Sequence, residues 1–333
     1  MWWRSVIWTG VLFGTFIFLI PNLLWFLSWA AGKLFACRVP YAPFGWTALA
    51  LVVLVWGCLI YGYFFGRFLI EVNEVEYASH EVPAAFDGYK IVHISDLHVD
   101  SFEDTADLQR FVDRVNEQHA DLILFTGDMT TGSMEGILPH ESALQALKAR
   151  DGVMSVLGNH DFFIYDPEFH SDEERCAAAD RLAQYEHDKL GWTVLRNDSR
   201  ILFRGDDSIA IAGVDNINGG QGFHTIQKGD LTKAMRGTEG LFTIVMTHDP
   251  SHWTAEVLPT THAQITLSGH THAAQVRLFG HSLARLFSFK EHDGRYDRDG
   301  RMLYVNAGTG CTAPFRIGCP SEITVIVMKG KQL

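Results

Sequence analysis

Five short blocks of the chain carry the side chains that could do chemistry. They are Asp96-Leu97-His98, Gly127-Asp128, Gly158-Asn159-His160-Asp161, Thr247-His248-Asp249 and Gly269-His270-Thr271-His272. Carboxylates and imidazoles without a thiolate form a ligand inventory for Mn, Fe or Zn. Side chains at i and i+2 of an extended segment point the same way, so Asp96 converges with His98 and His270 with His272. Glycine ahead of Asp128, Asn159 and His270 permits tight turns and close backbone approach. Seven possible ligands (Asp96, His98, Asp128, Asn159, His248, His270 and His272) exceed what one ion needs. A pair of ions sharing a carboxylate such as Asp128 is the economical reading. Two metals about 3.5–4 Å apart can activate a bridging hydroxide and stabilise in-line displacement at phosphorus. Taken singly, each block also has an ordinary reading: Asp96 as a cap, Gly127-Asp128 as a turn, His248 as a satisfied histidine. Core packing does not explain five of them in one order. His80, His119, His140, His170, His187, His262, His281 and His292 lack such a context and read as surface or structural.

The blocks follow short apolar runs, where α/β proteins build their sites. Strands are expected at 90–95, 122–125, 153–157, 208–212, 242–246, 263–267, 302–306 and 323–328. Helices are expected at 105–119, 141–149, 172–189 and 231–235. The first half alternates strand and helix, and the second half is richer in strands. An α/β layered fold follows, with sheet in the middle and helices outside.

Charge divides the chain. Residues 1–70 hold four basic and no acidic side chains and seven of the nine Trp; the remainder carries 23 basic and 39 acidic groups, net −16, and all 16 His. Residues 5–32 and 39–66 are uncharged. About 20 residues suffice to span a bilayer core, so two transmembrane helices are expected, about 6–29 and 44–65. Trp29 and Trp46 fit an interfacial aromatic belt. Pro21-Asn22 is expected to kink or split the first helix. Residues 71–88 read as a linker and a lead-in strand, and 89–333 as the globular domain. The acidic domain, lacking a basic stripe, is a poor partner for nucleic acid. Positive charge is balanced two against two about the hairpin (Arg4 and Arg67, Lys33 and Arg38), so the positive-inside rule does not set its face. Five scattered Cys do not form a disulfide framework, with a Cys311–Cys319 bridge the one pairing left open. Unpaired thiols favour a reducing, cytoplasmic face. Nothing in the sequence sets an oligomeric state.

The ordered set D-x-H, G-D, G-N-H-D, H and G-H-x-H closely resembles the calcineurin-like metallophosphoesterases, over about residues 89–330. The ending, Tyr304-Val305-Asn306-Ala307-Gly308-Thr309-Gly310 with Pro314-Phe315-Arg316 and Glu322-Ile323, resembles their membrane-associated bacterial phosphodiesterase branch. The resemblance implies two packed mixed β-sheets flanked by helices, a four-layer sandwich behind the N-terminal transmembrane hairpin, with metals at strand ends. It implies a first ion on Asp96, His98, Asp128 and His272, and a second on Asp128, Asn159, His248 and His270, with manganese preferred. His160 would face the substrate and protonate the leaving oxygen, with Asp161 orienting its imidazole. Arg316 is a candidate phosphate clamp, since a guanidinium matches phosphate oxygens in pairs. The segments 162–189 and 216–228 are expected to shape the pocket.

The expected function is a membrane-anchored two-metal phosphoesterase in a bacterial cytoplasmic membrane. Restriction to a bilayer surface makes a lipid or lipid-linked phosphodiester or pyrophosphate a natural substrate. Relatives in the superfamily that cleave UDP-diacylglucosamine exemplify that chemistry. The alternatives are a phosphomonoesterase or protein phosphatase on the same scaffold, and a non-enzymatic metal-binding membrane scaffold.

Overall fold

A computed structural model of the chain describes residues 2–219, 225–287 and 290–331. Two long helices come first, α1 (Trp2–Leu34) and α2 (Ala42–Phe64). At 1.5 Å per residue they are about 50 and 35 Å long. Both have the length and composition of membrane-spanning segments. Pro21 does not split α1, which continues through it as helix. Gly10 and Gly14 of α1 face Trp56 of α2, and a Cβ at Gly10 would press to 2.6 Å from that ring. Small residues thus let the two helices close on a large aromatic.

The rest of the chain runs β1 (Ile70–Ser79), β2 (Lys90–Ile94), α3 (Thr105–Asn116), β3 (Leu122–Phe125), α4 (Glu141–Gln145), β4 (Val153–Ser155), α5 (Asp172–Asp188), β5 (Thr193–Val194), β6 (Asp198–Arg204), β7 (Asp207–Gly213), α6 (Leu231–Ala234), β8 (Phe242–Met246), β9 (Ile265–Ser268), β10 (Arg277–Leu278), β11 (His281–Ser282), β12 (Gly294–Arg298), β13 (Arg301–Val305) and β14 (Ser321–Gly330). One mixed sheet has the order β1-β14-β2-β3-β4-β5 and the other β12-β13-β9-β8-β7-β6. The four-layer expectation holds. Period-2 alternation sorts the side chains: Leu122 and Leu124 of β3 enter the core between the sheets, and Ile123 and Phe125 pack under the helices. Burying a side chain such as Phe125 contributes about 1.5–3 kcal/mol. A third cluster, with Trp253 and Val257, covers the outer face of the second sheet.

The lead-in strand within 71–88 is β1, which takes the first half of that stretch and pairs with β14 in parallel over ten residues. Helix α4 stops at Gln145, short of the expected 149. Helix α5 starts on a capping box, in which Ser171 Oγ accepts from Glu174 N and Glu174 accepts from Ser171 N, satisfying donors that a helix start leaves open.

The hairpin is not tethered by chain connection alone. Phe315 and Ile317 pack against Val6, Leu59 and Tyr63, and Arg316 N donates to Gly62 O.

Candidate metal centre

Five parallel strands of the two sheets end on one side and deliver the five blocks. Asp96 and His98 leave β2, Asp128 leaves β3, and Asn159 and His160 leave β4; His248 leaves β8, and His270 and His272 leave β9. The backbone there is strained. Asp96, His98, Asp128, His270 and His272 all have positive φ, between 37° and 71°. Such left-handed positions in non-glycine residues cost on the order of 1–3 kcal/mol each and cluster at functional sites. Glycine is required beside them: a Cβ at Gly158 would collide with the Asp128 carboxylate, and one at Gly269 with that of Asp96.

The side chains converge in two overlapping groups. His272 Nε2 is 3.2 Å from Asp96 Oδ1 and 3.1 Å from His98 Nε2. His98 Nε2 is 3.7 Å from Asp128 Oδ2. On the other side, His248 Nε2 is 3.1 Å from Asp128 Oδ2, 3.2 Å from Asn159 Oδ1 and 3.2 Å from His270 Nδ1. Asp128 links the two sides, lying in two of the three clusters that could hold an ion, with His98 and His160 in one and His248 and His270 in the other.

The donor set fits cations. His248 Nδ1 lies 2.7 Å from the Thr126 carbonyl, to which it donates, so Nε2 carries the lone pair in the neutral ring. That lone pair faces a buried carboxylate oxygen, a buried amide oxygen and the partly buried imidazole of His270. Acceptors aimed at one another are unfavourable until a positive charge sits among them. Without an ion the proton takes that place. Burial opposes the charge on His248, but the Asp128 carboxylate outweighs it and pushes the ring up to about 10. Asp96 is held well below the carboxylate range: burial opposes its charge, and His272, His248 and His98 outweigh that. Burial, with His272 beside it, drives His98 well below its usual value. Asp96, His98, Asp128 and His272 would hold one divalent ion, and Asp128, Asn159, His248 and His270 the other. When bound, the ions supply Lewis-acid chemistry for a phosphoryl group and for water.

Two expectations need correction. Asp161 does not orient His160. Its buried carboxylate turns inward and accepts from the backbone N–H of Asp128, Met129 and Gly158, at 2.7–2.8 Å. It therefore ties the β3 and β4 loops together beneath Asp128. The Thr131 carbonyl orients His160 instead, 2.7 Å from Nδ1. His160 also lies closer to the ligands than expected, with a ring nitrogen grouped with His98 and Asp128. Arg316 is not a phosphate clamp. It is fully buried, and its guanidinium donates to the carbonyls of Ala307, Gly310, Cys319 and Pro320. Its hydrogen-bonding capacity is spent on shaping the C-terminal loop. Cys311 and Cys319 are buried free thiols beside it, and all five cysteines are unpaired.

A cavity of about 500 Å³ opens over the centre. Asp128, Asn159, His160, His270 and His272 form its floor, and Tyr165, Ala274, Gln275, Thr312 and Ala313 lie on its wall. Tyr165, of the expected segment 162–189, brings its ring to 4.7 Å from that of His160. Phe162 and Phe163 are core residues. Of the loop 216–228, Asn218 and Thr225 reach the cavity, while residues 220–224 lie outside the described residues. Thr131 and Asp249 were not assigned roles from sequence. Asp249 sits 3.7 Å from His270 Nε2, and its place beside His248 was its only signal.

Comparison with known proteins agrees with this geometry. A family profile described as calcineurin-like phosphoesterase matches residues 89–274. The Bacillus subtilis metallophosphoesterase YkuE is 31% identical over 283 residues, covering 80% of this chain and 90% of that protein. A Danio rerio transmembrane protein with metallophosphoesterase domain is 29% identical over 309 residues, covering 87% of this chain and 64% of that protein. Its Bos taurus namesake is 28% identical over 267 residues, covering 78% and 57% respectively. Strand-end ligands, a shared aspartate and these likenesses lead to one conclusion: the chain belongs to the calcineurin-like metallophosphoesterases.

Proposed function

We propose that this phosphoester hydrolase is a membrane-anchored, two-metal phosphodiesterase acting on a lipid or lipid-linked diester or pyrophosphate. The observation that carries the diester preference is the cavity wall: among the described residues lining it there is no Lys or Arg. A monoester dianion would rely on the ions alone for charge balance, whereas a diester carries a single charge. His160, whose Nδ1 donates to the Thr131 carbonyl, keeps its other ring nitrogen for the departing oxygen, to which the imidazolium form would pass a proton. Tyr165 narrows the approach to it. Manganese is the proposed metal, with iron or zinc the other ions that suit imidazole and carboxylate without thiolate.

Residues 1–70 form the membrane region and the remainder the catalytic domain, with β1 part of the latter. The lipid reading is supported by contact. The loop that places Thr312 and Ala313 on the cavity wall continues into Phe315 and Ile317, which pack on the hairpin. Five free thiols support a cytoplasmic face of a bacterial cytoplasmic membrane.

The test is hydrolysis by the solubilised full chain of a chromogenic diester against its monoester, with Mn, with chelator, and with Asp128→Asn. Metal-dependent diester turnover, lost in the variant, is expected. Monoester preference would replace this reading with the phosphatase one.

A further inference from the structure

Beyond residue 70, seven large apolar side chains are exposed among the described residues, and four lie on one short segment: Leu278, Phe279, Leu286 and Phe287. This segment comprises the small hairpin β10–β11 and the turn after it. Phe279 is 100% exposed, Leu286 76% and Phe287 62%.

The tip is also built against local preference. Leu278 pairs with His281, leaving Phe279-Gly280 as a two-residue turn with φ of +52° and +79°. Positive φ at both turn residues calls for Asn-Gly, and a bulky residue there is an outlier. Phe279 thus bears backbone strain without any burial to offset it.

Charge singles out the same region. In a domain of net −16, residues 257–290 and 300–321 contain no Asp or Glu, and neither do residues 1–70. Arg285 is exposed on the segment, and Lys290 is exposed shortly after it in the chain. These acid-free stretches are joined in space. Arg277 N donates to Ile317 O, and Ile317 packs on the N-terminal hairpin. Gln275, two residues before β10, accepts from Thr312 and Ala313 and donates to Ala313 and Phe315. The base of the β10–β11 hairpin therefore adjoins the loop that packs on the N-terminal helices, beside the cavity wall, and the apolar tip projects from that base.

We infer that the β10–β11 hairpin and the turn through Phe287 form an interfacial foot that enters the surface of an anionic lipid bilayer beside the mouth of the active site. Aromatic and aliphatic side chains enter the acyl boundary while Arg285 and Lys290 meet headgroup phosphates. With α1–α2 as the first attachment and this foot as the second, the catalytic domain is held in one orientation. The inference rests on the membrane reading proposed above.

The full chain, reconstituted in nanodiscs of phosphatidylglycerol and phosphatidylethanolamine, tests it by photo-crosslinking. p-Benzoylphenylalanine replaces Phe279, Phe16 or Phe203 in turn. Phe16 lies exposed on α1, and Phe203 is 74% exposed on the edge strand β6. Lipid adducts are expected from positions 16 and 279, exceeding those at 203 by about tenfold, as burial of an aromatic ring implies. Adducts at 16 alone would overturn the foot and leave the membrane reading standing. Adducts at neither would overturn both. Equal adducts at 279 and 203, or a crosslink from 279 to a second copy of the chain, would also overturn the foot. Phe279→Asn should hold or raise the melting temperature in detergent; a fall would show that Phe279 serves the fold.

Discussion

In α1 and α2 the large apolar side chains are outside: Trp8, Phe16 and Leu54 are each more than half exposed. Around the metal centre the arrangement is reversed, and Asp96, His98, Asp128 and His248 are buried at the ends of apolar strands. Each region breaks the rule that governs soluble surfaces, in the opposite direction. The helices lower their free energy when hydrocarbon replaces water around them. The centre lowers its own when cations enter a cluster of buried acceptors. Neither region reaches its most stable state in water alone, and each names its missing partner by the side chains it presents.

The sharpest way to separate the two regions is Asp128→Asn. It should cost on the order of 10³-fold in diester turnover and lower bound metal by elemental analysis, with the protein still retained in membranes. Loss of retention would mean that the regions depend on one another. His160→Ala should lower kcat by about 10²–10⁴-fold with metal content unchanged, and less for substrates with acidic leaving groups. An equal loss for good and poor leaving groups would remove the proton-donor role. Asp161→Asn leaves backbone donors beneath Asp128 unmatched and should cost about 1–3 kcal/mol, read as a lower melting temperature and weaker metal retention. In the hairpin, Gly10→Leu forces a side chain into Trp56. Such overpacking costs typically about 1–3 kcal/mol, visible as easier helix separation in detergent, while turnover of a soluble diester stays at the parent value.

The smallest effect concerns Glu186. It is fully buried, with Ser155 Oγ donating to one oxygen and no partner for the other. Burial, helped by the nearby Asp161 charge, raises it well above its usual value. The folded state then keeps a proton that the unfolded chain releases above the ordinary carboxylate range. Stability from this group is present below that range and is lost as pH rises, by at most about 1.4 kcal/mol per pH unit. Glu186→Gln should flatten that slope in thermal melts. An unchanged slope would show that Glu186 is ionised in the fold.

The same contrast explains what the sequence could tell. The strands that carry the ligands are covered on both faces, so they read as continuous apolar runs ending in polar residues. Strands β6 and β12 did not stand out, and β1 did so only as a lead-in strand without bounds. β1 interleaves Glu71, Glu74 and Glu76 with apolar residues, and β6 and β12 are sheet edges with half-solvated faces. The ligands were legible because type and order define them. The partners of His160 were not: Asp161 is adjacent in sequence but faces the other way, and the true partner is a backbone carbonyl, for which no residue type is a signal. Arg316 misled for a related reason. A guanidinium suits phosphate and a cage of carbonyls equally well, and only burial decides between them.

The place of β14 has a consequence for biogenesis. It lies between β1 and β2, and its Glu322 accepts from Asn73, 249 residues away in the chain. A ribosome therefore releases α1, α2, β1 and β2 long before the strand that joins them exists. Until then β1 and β2 present unpaired edges, and Asp96 and His98 extend from a strand without one of its neighbours. Such distant pairing is slow to form. On the membrane reading proposed above, α1 and α2 would hold the waiting segment at the bilayer, away from other nascent chains, while the catalytic centre assembles.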